Sequence, residues 1–238
     1  MRTIALLTGR GNNTLPDKNV LNILGHPVLY YPARAAKNTA GINDWFCSSD
    51  DKKILAAAEK EGYKKIVRPP ELAKPTSLHV DCIMHALSEI EKNGERPDVC
   101  VVLLANNVTV KSAWIAECIK LMEKKPSVTA VVPVYKDNDH HPLRAKSLNE
   151  AGFLEMYEKN IPSNISTNRQ DLSPCFFLAH NFWVLRVSYL LAGYSNGQPP
   201  WTFMGNEILP YYIEESIDIH DEIDLELAKN WLQQNYDD

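Results

Sequence analysis

Along the chain, short blocks of consecutive apolar residues alternate with longer stretches whose apolar positions recur every three or four residues. "TIALLT" (3–8) reads as a strand and 28–38 as a helix; "DWFCSS" (44–49) reads as the next strand and 51–61 as the next helix. That alternation predicts βαβ units and a mostly parallel sheet. "KKIV" (64–67) is a brief third strand, after which Thr76 or Ser77 can cap a helix that keeps Val80, Ile83, Met84, Leu87 and Ile90 on one face. "VCVVLLA" (99–105) is almost uniformly apolar, as a central strand covered on both faces should be. A helix burying Ile115, Cys118, Ile119 and Met122 and a strand "VTAVVPV" (128–134) follow.

From about Lys136 to Ser173 the pattern gives way to polar sequence rich in Asn, His and Ser, which predicts an irregular inserted lobe with a functional or assembly role. Regular structure resumes at "CFFLAHNFWVL" (175–185), a buried strand leading into a helix. The chain closes with "SIDIHDEIDLELAKNWLQQ" (216–234), read as a short strand, an acidic turn and a helix packing Leu225, Ala228 and Leu232 on one stripe. The expectation is one domain over residues 1–238, an α/β/α three-layer sandwich with a mostly parallel sheet.

Composition narrows the partners. With 25 Lys plus Arg against 30 Asp plus Glu the formal charge is −5, which offers no field for gripping a nucleic acid. Five cysteines, Cys47, Cys82, Cys100, Cys118 and Cys175, are scattered and never form a C-x-x-C pair. They read as buried thiols of a reducing compartment, not as a disulfide framework or zinc site. The start of the chain lacks the basic and apolar regions of a signal peptide, and His180, Asn181 and Arg186 interrupt the most apolar later stretch. No membrane span and a cytoplasmic location are expected, so the sequons "NNT", "NVT" and "NIS" are chance matches.

Chemistry concentrates in the loops. In "TGRGNNTLPDKN" (8–19), glycines flank Arg10, so the backbone can turn sharply and bring N–H groups close to an anion while Arg10 and Lys18 supply charge. It is neither the nucleoside-triphosphatase loop nor the dinucleotide fingerprint, and an ordinary βα turn is the alternative. Arg68, in "RPPELAKPTS", stands just past a strand end, where open α/β sheets bind ligands, although a lone arginine there is more often a surface or packing residue. Asp218 and His220 alternate along a strand and so face one side, as ligands of a divalent cation would, whereas Asp221 to Asp224 read as a helix cap. His140, His141 and Arg144, with Arg169 further on, read by default as solvated loop residues of the lobe, although an acidic sugar would want such cations.

Taken in order, these pieces resemble the CMP-sialic acid synthetase family. "GRGNNTLPDKN" is similar to its A-R-x-x-S-K-G-x-x-x-K-N loop, "GHPVLYYPARAA" to G-x-P-L-x-x-x-x-x-x-A, "CSSDDKKI" to V-S-T-D-D-x-x-I, and "RPPELA" to R-P-x-E-L-A. "HHPL" is similar to a lobe loop and "SIDIHDEIDLELA" to S-I-D-I-D-T-x-x-D-L-x-x-A. The resemblance implies a nucleotide-diphospho-sugar transferase (Rossmann-like) fold, dimeric through the lobe at about 136–173. It implies attack by the anomeric hydroxyl of a 2-keto-3-deoxy acid sugar on the α-phosphate of CTP, with magnesium as cofactor. Carried over position by position, Arg10, Gly11, Asn12, Asn13 and Lys18 would wrap the triphosphate and Asn19 the ribose side. Arg68, Ser77 and His79 would read cytosine, Arg169, Gln170 and Trp183 would meet the sugar, and Asp218 with His220 would hold the metal. Arg10, Lys18 and Asp218 would be the catalytic group.

Departures from that pattern each remove charge or a donor. Asn13-Thr14 stands where the family has Ser-Lys, Ala105 replaces a glutamine, Phe177 an arginine, Trp183 a tyrosine, and His220 the second metal aspartate. They fit a more apolar, deoxygenated acid sugar; a transferase using another nucleotide or a sugar phosphate, and a catalytically silent homologue that binds nucleotide sugars, are the alternatives.

Overall fold

The computed structural model describes the chain except for residues 12, 95, 162, 163, 237 and 238. β1 (Thr3–Thr8) is buried at every position. A two-residue ladder of β2 (Asn22–Ile23) and β3 (His26–Pro27) turns through Leu24 and Gly25, both at positive φ, into α1 (Tyr30–Lys37). The alternation continues with β4 (Asp44–Ser49), α2 (Lys52–Lys60), β5 (Lys64–Val67), α3 (His79–Lys92), β6 (Val99–Leu104), α4 (Ser112–Lys124) and β7 (Ala130–Lys136). After the lobe hairpin, β8 (Lys146–Leu148) and β9 (Leu154–Met156), come β10 (Phe176–Leu178), β11 (Phe182–Arg186), α5 (Val187–Leu191), β12 (Ile208–Tyr212) and α6 (Glu222–Asn235).

One eight-stranded sheet carries the molecule. β1 lies between β4 and β6, parallel to both, and β5 extends the sheet beyond β4. β11 runs antiparallel between β6 and β7, and β10 continues along β7 after an interruption at 179–181. β12 is parallel to β7 on its far side. Period-two alternation divides β1 between two cores: Ala5 and Leu7 meet α1, α2 and α4, while Ile4 and Leu6 face α3 and α5. The expected three-layer sandwich with a mostly parallel sheet is present, and the five thiols are free. Among the described residues, no helix is long and apolar enough to cross a membrane.

Four local expectations are corrected. Residues 216–220 form no strand; Asp218 makes a single bridge to Asn107, because the chain there bends immediately into the cap of α6. The unexpected β12 contains Pro210, tolerated because the strand pairs with β7 alone and sits at the sheet edge. Within the lobe, β8 and β9 form a short hairpin where only irregular chain was expected. Finally, α3 begins after Leu78 without a side-chain cap, since the Ser77 hydroxyl donates instead to the Glu71 carbonyl at 2.9 Å. The capping reading of the acidic turn holds, with Asp221 and Asp224 forming a reciprocal capping box on α6.

Candidate active site

A cleft of about 210 Å³ opens at the carboxyl ends of β1, β5 and β6, the edge at which parallel sheets take ligands. Three segments line it: Thr8, Gly9, Arg10, Asn13, Lys18 and Asn19 after β1; Arg68, Leu72, Lys74, Ser77, His79 and Cys82 after β5; and Leu104 and Asn106 at the end of β6. Gly9 sits in close approach to its neighbours: a Cβ there would lie 3.1 Å from that of Ala105, tighter than ordinary contact.

The loop after β1 is braced by its own amides. Asn13 Nδ2 and Asn19 Nδ2 both donate to the Arg10 carbonyl, at 2.6 and 3.0 Å, and Asp17 pairs with Lys53 of α2 at 2.6 Å. The Gly11 N–H, expected to face an anion, is donated to Asp50 Oδ1 at 3.1 Å. Asp51, next along, caps α2 through Lys53 N–H. A side chain on Gly11 would run into these two carboxylates, with Asp51 Oδ2 at 2.9 Å. Asn13 and Asn19 therefore shape the loop, and Arg10 projects its charge from it. Asn12 lies outside the described residues.

The cleft cations are held differently. Lys18 is buried, and its Nζ donates to the Ile219 carbonyl at 2.7 Å. Burial lowers its pKa, the Asp218 charge raises it, Arg10 lowers it and Asp224 raises it. Arg68, also buried, donates to the Ser48 carbonyl at 2.9 Å and to Ser48 Oγ at 3.4 Å. Asp218 accepts a hydrogen bond from Asn106 and meets His220 Nε2 at 3.0 Å through its other oxygen. Through Asn106 and Lys18, then, Asp218 adjoins the cleft that Arg10 and Lys18 line.

His79 forms the aromatic wall. Thr8 Oγ1 donates to the Leu103 carbonyl at 3.1 Å and meets His79 Nε2 at 2.9 Å. A neutral imidazole protonated on Nε2 satisfies both bonds and leaves Nδ1 as an acceptor. Burial, the Arg68 charge and His180 hold its pKa down to about 4, so the ring is neutral at physiological pH. Behind it stands Trp183, ring centroids 5.2 Å apart, which also touches His180 and Phe203.

The family model described as "Cytidylyltransferase" matches residues 7–167, more than half of the chain. This chain belongs to the cytidylyltransferase family. Among curated relatives, it is 26% identical over 182 residues to the N-acylneuraminate cytidylyltransferase of Streptococcus agalactiae serotype V, covering 74% of this chain and 41% of that protein. It is 24% identical to the pseudaminic acid cytidylyltransferase of Campylobacter jejuni, covering 77% and 78% respectively. The chain thus spans less than half the length of the first of these relatives. In fold it is similar to the solved structure of CMP:2-keto-3-deoxy-manno-octonic acid synthetase complexed with CTP, with a TM-score of 0.71 at 14% identity over 98% of this chain and 99% of that one.

Not every residue singled out in the sequence meets in one place. Arg10, Asn13, Lys18, Asn19, Arg68, Ser77 and His79 share the cleft. Trp183 does not line it: at 2% exposure it is core and supports His79 from behind. Arg169 and Gln170 line a separate hollow of about 240 Å³ with Lys136 and Asp137, and the Arg169 guanidinium is paired with Asp139. Ala105 is fully buried against Gly9, and Phe177 stacks on Tyr135 of β7, ring centroids 6.1 Å apart. Sequence reading missed Asn106, Lys74 and Asp50. Only their positions just past strand ends or beside Arg68 could have signalled them.

Proposed function

We propose that the chain transfers the cytidylyl group of CTP to the anomeric hydroxyl of a 2-keto-3-deoxy acid sugar. The acceptor oxygen would form a bond to the α-phosphorus as the α–β bridging bond breaks and pyrophosphate leaves. The observation that carries this reading is the shared cleft. Four cations, Arg10, Lys18, Arg68 and Lys74, line one hollow beside Asp218, in a chain of the cytidylyltransferase family. Such catalysis is mostly positioning and charge neutralisation. Arg10 and Lys18 neutralise the polyphosphate, while His79 Nδ1 and the Ser77 hydroxyl oxygen, whose proton is given to Glu71, offer acceptors to the base. The names of the relatives support an acid sugar as the acceptor class.

Asp218 fits a hard divalent cation. It is a partly exposed carboxylate next to the phosphate side of the cleft, and magnesium commonly takes one or two protein carboxylates with substrate phosphates completing its shell. His220, 3.0 Å from Asp218, either joins the ligand set or orients the carboxylate. Bound there, magnesium would supply further charge neutralisation at the phosphates. The lobe hairpin exposes Leu148, Phe153, Leu154 and Tyr157, with Leu148 and Leu154 paired across its two strands, and these apolar side chains are proposed as the contact of a homodimer.

The test is pyrophosphate release with a panel of 2-keto-3-deoxy acid sugars. Release that needs CTP, magnesium and one member of the panel is the expected result. No release with any of them, or a preference for another nucleoside triphosphate, rejects the reading.

A further inference from the structure

The four cleft cations differ in what already occupies their head groups. Lys18 is tied to the Ile219 carbonyl and Arg68 to Ser48. Arg10 and Lys74 make no side-chain hydrogen bond or ion pair with any described residue, although both line the cleft. Lys74 stands on the turn between Pro70–Leu72 and α3, and that turn is closed by Ser77 N–H donating to the Lys74 carbonyl at 3.0 Å. Its backbone is fixed while its exposed ammonium is left to solvent at the cleft mouth. On the loop after β1, exposed Thr14 stands where the resembling motif carries a lysine, so that loop brings one cation fewer.

We propose that Lys74 is a polyphosphate-binding residue: it contacts the phosphates beyond the α-position of the bound nucleoside triphosphate, from the loop after β5 instead of the loop after β1. This rests on the cytidylyl-transfer reading, because it takes the cleft to be the nucleotide site. A tethered lysine with an unpartnered head group loses no existing bond on meeting an anion, unlike Lys18 or Arg68. Paired with Arg10, it gives the triphosphate two free cations carried by different strand ends. The position also assigns a cost: a nucleotide without the outer phosphates gains nothing from Lys74.

The test is calorimetric binding of CTP and of CMP to the wild-type chain and its variants, with steady-state kinetics alongside. Lys74→Ala is expected to weaken CTP about tenfold and CMP less than about twofold, with thermal stability unchanged because the side chain is exposed. Lys74→Arg should stay within about threefold of wild type. Adding Thr14→Lys to Lys74→Ala should recover CTP affinity, which a merely structural lysine would not allow. Wild-type CTP affinity in Lys74→Ala, an equal loss for CMP and CTP, or a change confined to the acceptor KM each overturns the assignment. A wild-type chain that binds no CTP overturns the functional reading as well; one that binds and turns over CTP beside an indistinguishable Lys74→Ala overturns the role of Lys74 alone.

Discussion

The cleft at the sheet edge and the inserted lobe are built by opposite means. Around the cleft, β1, buried throughout, and β6, buried except at Leu104, end side by side, and the residues that leave them are fixed by backbone pairing before any side chain is considered. In the lobe, two three-residue strands pair only with each other, and ion pairs such as Lys159–Glu155 and Arg144–Asp139 lie in solvent. Exposed pairs of this kind contribute little. The sheet edge thus holds its charged residues in fixed positions, whereas the small hairpin leaves apolar side chains exposed.

The largest expected effect sharpens that contrast. Trp183→Ala removes a side chain at 2% exposure that supports His79 and packs on Phe203, so it should cost about 3–5 kcal/mol in chemical denaturation and also weaken CTP. Phe153→Ala, in the lobe at 70% exposure, should change monomer stability by less than about 0.5 kcal/mol. Similar losses from the two substitutions would mean that the lobe is part of the core.

His79 provides the next test. Its folded pKa of about 4 lies below the ordinary 6.5, so between these values the unfolded chain binds more protons than the folded one. The stability from keeping the ring neutral is fully present above about pH 6.5 and declines as pH falls toward 4, by up to about 3 kcal/mol. Urea melts of wild type and His79→Gln across that window should show a steeper decline for wild type. Parallel curves would show that the imidazole is not held neutral by its surroundings.

The same physics decides what was legible in the sequence. Strand and helix alternation could be read because "TIALLT" and "VCVVLLA" carry their burial in composition, and each βα junction then had to lie at one sheet edge. Arg10, Lys18 and Arg68 follow from that edge, whereas His79 comes only from the family resemblance. Asn106 could not be read: its importance comes from the bridge that brings residues 107 and 218 together across the chain. Lys74 was hidden for a related reason, as a lysine becomes significant only once the structure shows that its neighbours Lys18 and Arg68 are already bonded. Trp183 was misplaced because an aromatic residue on a strand beside a cleft can face either side, and only the register against Val102 assigns it to the α3 side of the sheet.

The smallest expected effect is the one that can break the comparison. Arg169 lies 55% exposed in the hollow with Lys136, paired with Asp139, which Arg144 also approaches at 3.2 Å. If the lobe and the cleft are separate devices, Arg169→Ala should shift stability by less than about 0.5 kcal/mol, since Arg144 remains to balance Asp139. CTP affinity should stay unchanged, and the acceptor KM should remain within about twofold of wild type. A tenfold rise in acceptor KM with CTP affinity intact would instead make the hollow of Arg169 and Gln170 the place where the sugar carboxylate is gripped. The acceptor would then reach from the sheet edge to the lobe, and closure of one region on the other, not the preformed cleft alone, would set acceptor specificity.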